Sequence, residues 1–408
     1  MTEDWTLHMT VTKYFLGIDE NEYQQRCEVL LNTIQANGLN GVILFNADYV
    51  LYYTGFAFIP TERPVAFVMS KEGEKAMFVP RMEVEHAKAN ALIDTVSHYT
   101  EYPDKPHPMT GLSKLLSEMA ISGHIGADND GYPRLFGYRG AKLSALGDFE
   151  IFDIVDAIED QMAIKSQAEI DLLIESTKWS TLALNLLKKY TVVGITETEA
   201  VQRANFEATQ AMMNAIGSIY KAQGWQKDGA YAEYRGQIGR NSAIPHALAN
   251  NITFQRGDVL VAESTARVWG YQTELERTFI MGEASPEQAR FFQHMLNLQN
   301  IAFEMIKPNV LCSDVDKAVR AYYEKEDLLP YWRHHTGHAI GSRYHEGPFL
   351  DIGDDTVIQE GMVFTIEPGL YHMDLGGFRH SDTIVVNRDG IEIITYSPSD
   401  LDAMTIPV

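Results

Sequence analysis

The sequence predicts an α+β protein of two domains, a smaller α/β layer followed by a larger α+β sheet domain. Three observations carry that expectation. A chain of 408 residues is longer than one hydrophobic core usually holds. Through the first third, apolar runs of strand length alternate with stretches of helical periodicity. Beyond about residue 160, helices and strands come in runs, which favours α+β over a Rossmann arrangement. The division falls at domains 1–158 and 159–408.

In the first domain, EYQQRCEVLLNTIQANGLN carries apolar residues at helical spacing and stops near Gly38. GVILFN follows as a buried strand. YVLYYTGFAF, PVAFVMS, KAMFVP and HIGAD read as further strands, with MTGLSKLLSEMA a helix between them. No glycine-rich phosphate loop occurs there, so a nucleotide site has no support. The second domain opens with KSQAEIDLLIEST, where Ser166 is an N-cap and Glu169 completes a capping box. A second helix starts near Thr196 and a third covers EQARFFQHMLNLQNIAFEMIK. DVLVAEST, YQTELERTFIM, GMVFTIEP and DTIVVN read as strands.

Composition narrows the partners. The 56 acidic residues against 33 basic ones give a formal charge of −23, which argues against nucleic acid and anionic membrane. The two cysteines, Cys27 and Cys312, have neither metal nor redox spacing and read as reduced thiols. The N-terminal MTEDWTLHMTVTKYF is acidic and has no apolar core, so it does not read as a signal peptide. No apolar run is long enough to span a bilayer. A cytoplasmic location is the resulting expectation.

Unusual polar residues gather in four stretches of the second domain. In GYQTELERTF, strand alternation puts Glu274 and Glu276 side by side on one face. A hairpin around Arg267 to Gly270 would bring Glu263 across from Glu274. RNSAIPHALANN holds His246 in a loop, HHTGHAIGSRYHEG holds His334, His335, His338, His345 and Glu346, and FTIEPG interrupts a strand with Glu367. Taken singly, each has a plain structural reading, because strand carboxylates are mostly solvated. Their co-occurrence favours a site, and histidine with carboxylates is a ligand set for hard or borderline metals.

In that order the stretches resemble the pita-bread superfamily of aminopeptidase P, prolidase, methionine aminopeptidase and creatinase. The resemblance covers nearly the whole chain: EYQQR…GLNGVILF…YYTGF as a creatinase-like N-terminal domain, IKSQAEI, TGHAIG…HEGPFL and GMVFTIEPGLY. It implies an α+β pita-bread catalytic domain behind a smaller α/β creatinase-type domain, often in a homodimer. The superfamily's metallopeptidases hold two divalent ions on two aspartates, a histidine and two glutamates. Those positions match Glu263, Glu274, His338, Glu367 and Ser381 here. Creatinase is similar in fold and works without metal. Its catalytic histidine matches His246, its substrate-binding glutamates Glu276 and Glu367, and one carboxylate-binding arginine Arg63. Its second such arginine falls on Phe349.

On the resemblance, Glu263, Glu274, Glu276 and Glu367 share one partly buried cavity. Four ionised carboxylates there require protons, a metal or a cationic substrate. The leading expectation is a metal-independent C–N hydrolase with no cofactor. Its substrate would be a small guanidino, amidine, amine or amide compound. His246 would serve as general base and then acid, with Glu276 and Glu367 orienting the substrate. His338 or His345 would stabilise the oxyanion. Arg63, Glu263, Glu274 and His335 would contact the substrate. The alternative is a Xaa-Pro peptidase acting on dipeptides, with one manganese, cobalt or zinc ion on Glu263, Glu274, His338 and Glu367. A non-catalytic binding protein on the same fold is the third reading.

Overall fold

The computed structural model describes residues 16–224 and 229–408. The MTEDWTLHMTVTKYF segment lies outside the described residues. Residues 18–162 form one compact unit, and residues 163–222 and 229–408 belong to the other.

In the first unit six strands, β1 (Gly41–Leu44), β2 (Ala66–Ser70), β3 (Lys75–Pro80), β4 (Thr95–Tyr99), β5 (Gly123–Ala127) and β6 (Phe149–Asp153), form a mixed sheet. Their order is β4-β3-β2-β1-β5-β6. Strand alternation splits the apolar runs between two cores. Val42, Leu44, Phe67 and Met77 face one side with Leu30 and Ile34 of α1 (Glu20–Ala36). Ile43, Val68 and Phe78 face the other with Leu112 and Leu116, which lie on a helix at Pro108–Glu118. Helices on both faces explain why these strands read as unbroken apolar runs.

One expectation fails here. YVLYYTGFAF is not a strand: Ala47–Thr54 is a helix, α2. Asn46 caps it by accepting from the Asp48 N–H at 2.9 Å, and Gly55 ends it at φ +72°. Tyr49, Val50, Tyr52 and Tyr53 are all buried. The caps and this packing outweigh the β preference of the aromatic residues.

The second unit carries the polar stretches. Ser166 and Glu169 form the expected capping box of a 24-residue helix, Gln167–Tyr190. Thr196 caps the next helix, Glu197–Ile216, and Pro286–Met305 is the third. A further helix at Cys312–Lys325 was not anticipated from the sequence. Strands β7 (Gly229–Glu233), β8 (Val259–Arg267) and β9 (Leu275–Met281) form one sheet with a short C-terminal strand, Thr405–Ile406. A five-stranded sheet contains β10 (Gly337–Ala339), β11 (Glu346–Leu350), β12 (Val363–Ile366), and two strands at Asp382–Asn387 and Gly390–Ile393. Between β12 and Asp382, the strands β13 (Gly369–His372) and β14 (Gly376–Arg379) make a hairpin. Cys27 and Cys312 are buried and form no disulfide. No helix among the described residues is long and apolar enough to cross a membrane.

Candidate active site

β8 and β9 set the acidic floor. They pair antiparallel with Glu263 opposite Glu276, not opposite Glu274 as the hairpin reading placed it. The connection is longer than a tight turn, so β9 begins at Leu275 and Glu274 lies just ahead of it. Thr383 fixes the Glu274 backbone from the neighbouring sheet. Its hydroxyl accepts from the Glu274 N–H at 3.0 Å and donates to the Glu274 carbonyl at 2.9 Å. Glu276 and Ser381 exchange backbone hydrogen bonds of 3.0 and 3.2 Å. All four glutamates line one cavity of about 420 Å³.

The cations that offset them come from the chain itself, which the sequence reading did not foresee. Arg379 presents its fork to Glu276: Nε donates to Oε2 and Nη2 donates to Oε1 at 2.5 Å, with both side chains buried. Nη1 of Arg379 donates to the Tyr371 hydroxyl at 3.0 Å. Arg235 places Nη2 2.8 Å from Glu263 Oε2, and the Tyr344 hydroxyl donates to Glu263 Oε1 at 2.6 Å. Burial pushes the Glu263 carboxyl up, with Arg235 pulling against it. Arg235 holds φ +52°, a costly backbone for a non-glycine residue and typical of sites where a side chain must be aimed. A signal for Arg379 was available in GFRHSDTI, two residues before Ser381. Nothing in YAEYRGQ announces Arg235.

Beyond these pairs, three side chains converge. One ligand atom each from Glu274, His338 and Glu367 lies within 4.8 Å of the others. The His338 Nδ1–H donates to the Ala339 carbonyl at 2.9 Å, so Nε2 is the nitrogen that carries the lone pair when the ring is neutral. That atom lies 3.2 Å from Glu367 Oε1 and 3.8 Å from Glu274 Oε2. Neither Nε2 nor the buried Glu274 Oε1 has a hydrogen-bond partner among the described residues. Burial works against charge on His338, yet its contacts with Glu367 and Glu274 push its pKa up to about 9. Burial, with Glu367 and Glu276 nearby, raises the Glu274 carboxyl well above the ordinary range. Burial would also raise Glu367, but His338, His334 and Arg379 hold it well below that range.

A histidine whose Nδ1 is committed and whose Nε2 faces two carboxylates fits one divalent ion, which would take the place of the proton that those carboxylates otherwise favour. A second ion does not fit. Glu263 of the expected ligand set is engaged by Arg235 and Tyr344, and lies outside the converging trio. At the fifth family position Ser381 offers only a buried hydroxyl without a partner.

The remaining histidines form the rim. His246, His335 and His345 line the cavity, and His246 and His345 are exposed. The His345 ring stacks 3.9 Å from His338; burial and the His338 charge lower its pKa to about 4. His334 donates from Nδ1 to the His335 carbonyl, so Nε2 accepts from the Tyr371 hydroxyl at 2.6 Å. Arg63 belongs to the first unit, where Glu101 and Glu62 engage its guanidinium at 2.7 and 2.6 Å.

Residues 171–388 match the model of metallopeptidase family M24, and residues 26–136 match the creatinase/prolidase N-terminal domain. The chain belongs to family M24. It is therefore a hydrolase of C–N bonds with the pita-bread architecture behind a creatinase-type domain. Among its relatives, a Xaa-Pro dipeptidase of Pyrococcus furiosus is 25% identical over 383 residues, covering 93% of this chain and 99% of that one. An uncharacterized peptidase, YqhT, of Bacillus subtilis is 26% identical over 92% of this chain and 99% of its own. In fold, the chain is similar to a prolidase from Thermococcus sibiricus, with TM-score 0.80 at 21% identity, covering 96% of this chain and all of that one. A Xaa-Pro dipeptidase from Bacillus anthracis gives 0.78 at 24%, over 95% of this chain and all of that one. Membership of M24 weighs against the metal-free expectation, and the Glu274–His338–Glu367 trio gives the family's chemistry a place in this chain.

Proposed function

We propose that this M24 chain hydrolyses the peptide bond of Xaa-Pro dipeptides with a single divalent ion. The observation that carries the reading is the trio itself: three ligand atoms within 4.8 Å, with His338 Nε2 and the Glu274 Oε1 oxygen buried without hydrogen-bond partners among the described residues. Glu274, His338 and Glu367 would hold the ion, whose role when bound is to polarise the scissile carbonyl and acidify water. The chain's own residues do the rest. Arg379 and Arg235 pair with Glu276 and Glu263 and fix their positions in the cavity. His246, at the rim of the same cavity, takes a proton from the attacking water and returns it to the leaving nitrogen. The homodimer implied by the resemblance is part of this reading, and sedimentation velocity tests it.

The test is metal content by plasma mass spectrometry, paired with turnover of Ala-Pro with and without added manganese or cobalt. About one retained ion per chain and metal-dependent cleavage support the proposal. A chain that retains no ion and ignores added metal refutes it.

One observation favours a second reading. Internal arginines already engage two of the site's glutamates, as a protein working without metal would need. On that reading Glu274 and Glu367 bind a guanidino, amidine or amine substrate, and His246 remains the acid–base group. Metal-independent hydrolysis of such a compound would establish it in place of the peptidase.

A further inference from the structure

Behind the cavity stands a buried ion pair whose two residues do not line it. Lys165 Nζ lies 2.7 Å from Glu346 Oε2, with the side chains only 1% and 2% exposed. A pair sealed this well adds little net stability, because desolvation offsets most of the attraction. Its placement is more informative. Lys165 stands just ahead of the Ser166 cap, while Glu346 opens β11 directly after His345.

The Glu346 carboxylate ties down the turn that precedes it. Oε1 accepts the Arg343 N–H at 2.9 Å and the Ser342 hydroxyl at 3.2 Å, while Oε2 accepts from Lys165. The far end of the turn is tied as well: the Gln272 N–H donates to the Gly341 carbonyl at 3.0 Å. Packing there is close. A Cβ on Gly341 would stand 2.8 Å from Lys165 Cε and 3.0 Å from a Glu346 carboxylate oxygen. The two residues between Arg343 and Glu346 are thereby carried into the cavity. Tyr344 donates its hydroxyl to Glu263 at 2.6 Å. The His345 ring rests on the His338 ring at 3.9 Å, with 15° between their planes. One turn thus reaches both the acidic pair with Arg235 and the converging trio.

We propose that Lys165 and Glu346 are positioning residues, which hold the 341–346 turn in the form that delivers Tyr344 to Glu263 and His345 to His338. Glu346 supplies the acceptors, and Lys165 fixes the carboxylate that carries them. The assignment does not depend on whether the cavity works with an ion or with a cationic substrate.

The experiment compares the full chain with two neutral double variants, Lys165→Met with Glu346→Leu and Lys165→Met with Glu346→Gln. Neither strands a buried charge, so both should melt no more than about 4 °C below wild type. Only the glutamine keeps an acceptor for the turn. Proton–carbon spectra of histidine-labelled protein, with His345 identified through His345→Gln, read the ring directly. Stacking on His338 should displace the wild-type His345 signal upfield of the other exposed histidines. The leucine variant should lose that displacement, and the glutamine variant should keep most of it. Gly341→Ala leaves both charges in place but crowds the pair. It should lose the displacement too, and it carries the test if the leucine variant does not fold. Turnover of Ala-Pro, which rests on the peptidase reading, should fall about 10–100-fold in parallel, as when a group supporting a site from behind is removed. An undisplaced His345 signal in wild type overturns the proposal, and so does displacement that survives in the leucine variant or in Gly341→Ala. Equal loss in the glutamine and leucine variants overturns it as well. If wild type leaves Ala-Pro intact, the peptidase reading fails; loss of the displacement then still supports the proposal, and its retention overturns it.

Discussion

Replacing Arg379 by methionine probes the pair that holds the acidic floor together. Arg379 and Glu276 side chains are 3% and 2% exposed, so water cannot take over the charge that is left behind. The variant removes two charge-assisted hydrogen bonds to Glu276 and the donor to Tyr371. Breaking a buried pair from one side costs about 3–5 kcal/mol, far more than the pair's net worth against an apolar replacement. For a unit of this size each kcal/mol moves the midpoint by roughly 2–4 °C, so the expected loss is on the order of 10 °C. Scanning calorimetry and urea unfolding measure it. The decisive control is the double variant Arg379→Met with Glu276→Gln, which has no orphaned charge and should recover at least half of the loss. A single variant that loses less than about 1 kcal/mol, or a double variant whose loss equals the sum of the singles, would refute the view that this pair is an internal counterion.

Three further outcomes follow from the geometry. His246→Ala should lower kcat on the identified substrate by about 10²–10⁴ with substrate binding retained, and turnover at the wild-type rate would remove His246 from the mechanism. The Lys165–Glu346 pair is almost fully buried at 2.7 Å; burial alone would raise Glu346, but Lys165 holds it below the usual carboxylate range. Its folded pKa is depressed, so its stabilisation is present above the unfolded value of about 4.3 and is lost as pH falls through the folded one. Urea midpoints of wild type and Glu346→Gln should differ clearly at pH 7 and draw together progressively as pH falls from about 4.3 through the folded value; a gap that does not narrow in acid would contradict this. Asn46→Ala should cost about 1 kcal/mol by removing the α2 cap, and an unchanged midpoint would show that packing alone holds that helix.

What the sequence disclosed depended on how local the determinant was. The Ser166–Glu169 capping box spans three residues, and the structure repeats it where the spelling placed it. Glu274 and Glu276 reach one cavity as the two-residue alternation placed them, although β9 itself begins only at Leu275. The helix at Ala47–Thr54 was misread because its aromatic residues favour strands; the tertiary burial that overrides them leaves no periodic mark in eight residues. The β8–β9 register slipped by two because it depends on connection length, which composition does not state. Least legible were the counterions. Glu276 and Arg379 are 103 residues apart, and Arg235 reaches Glu263 from a backbone that only the fold can impose.

The reciprocal bonds between Glu276 and Ser381, with the double tie from Thr383 to Glu274, have a consequence for motion. They join β9 to the chain that leaves β14, so the floor spans two sheets without a seam. Neither sheet can breathe there alone; releasing one amide requires releasing those of the other. Amide exchange at Glu274, Glu276 and Ser381 should therefore be slow and should share one opening event. Movement that admits a substrate is left to the exposed side chains at the mouth, His246, Arg333 and His345. The anvil stays still while the fingers above it move.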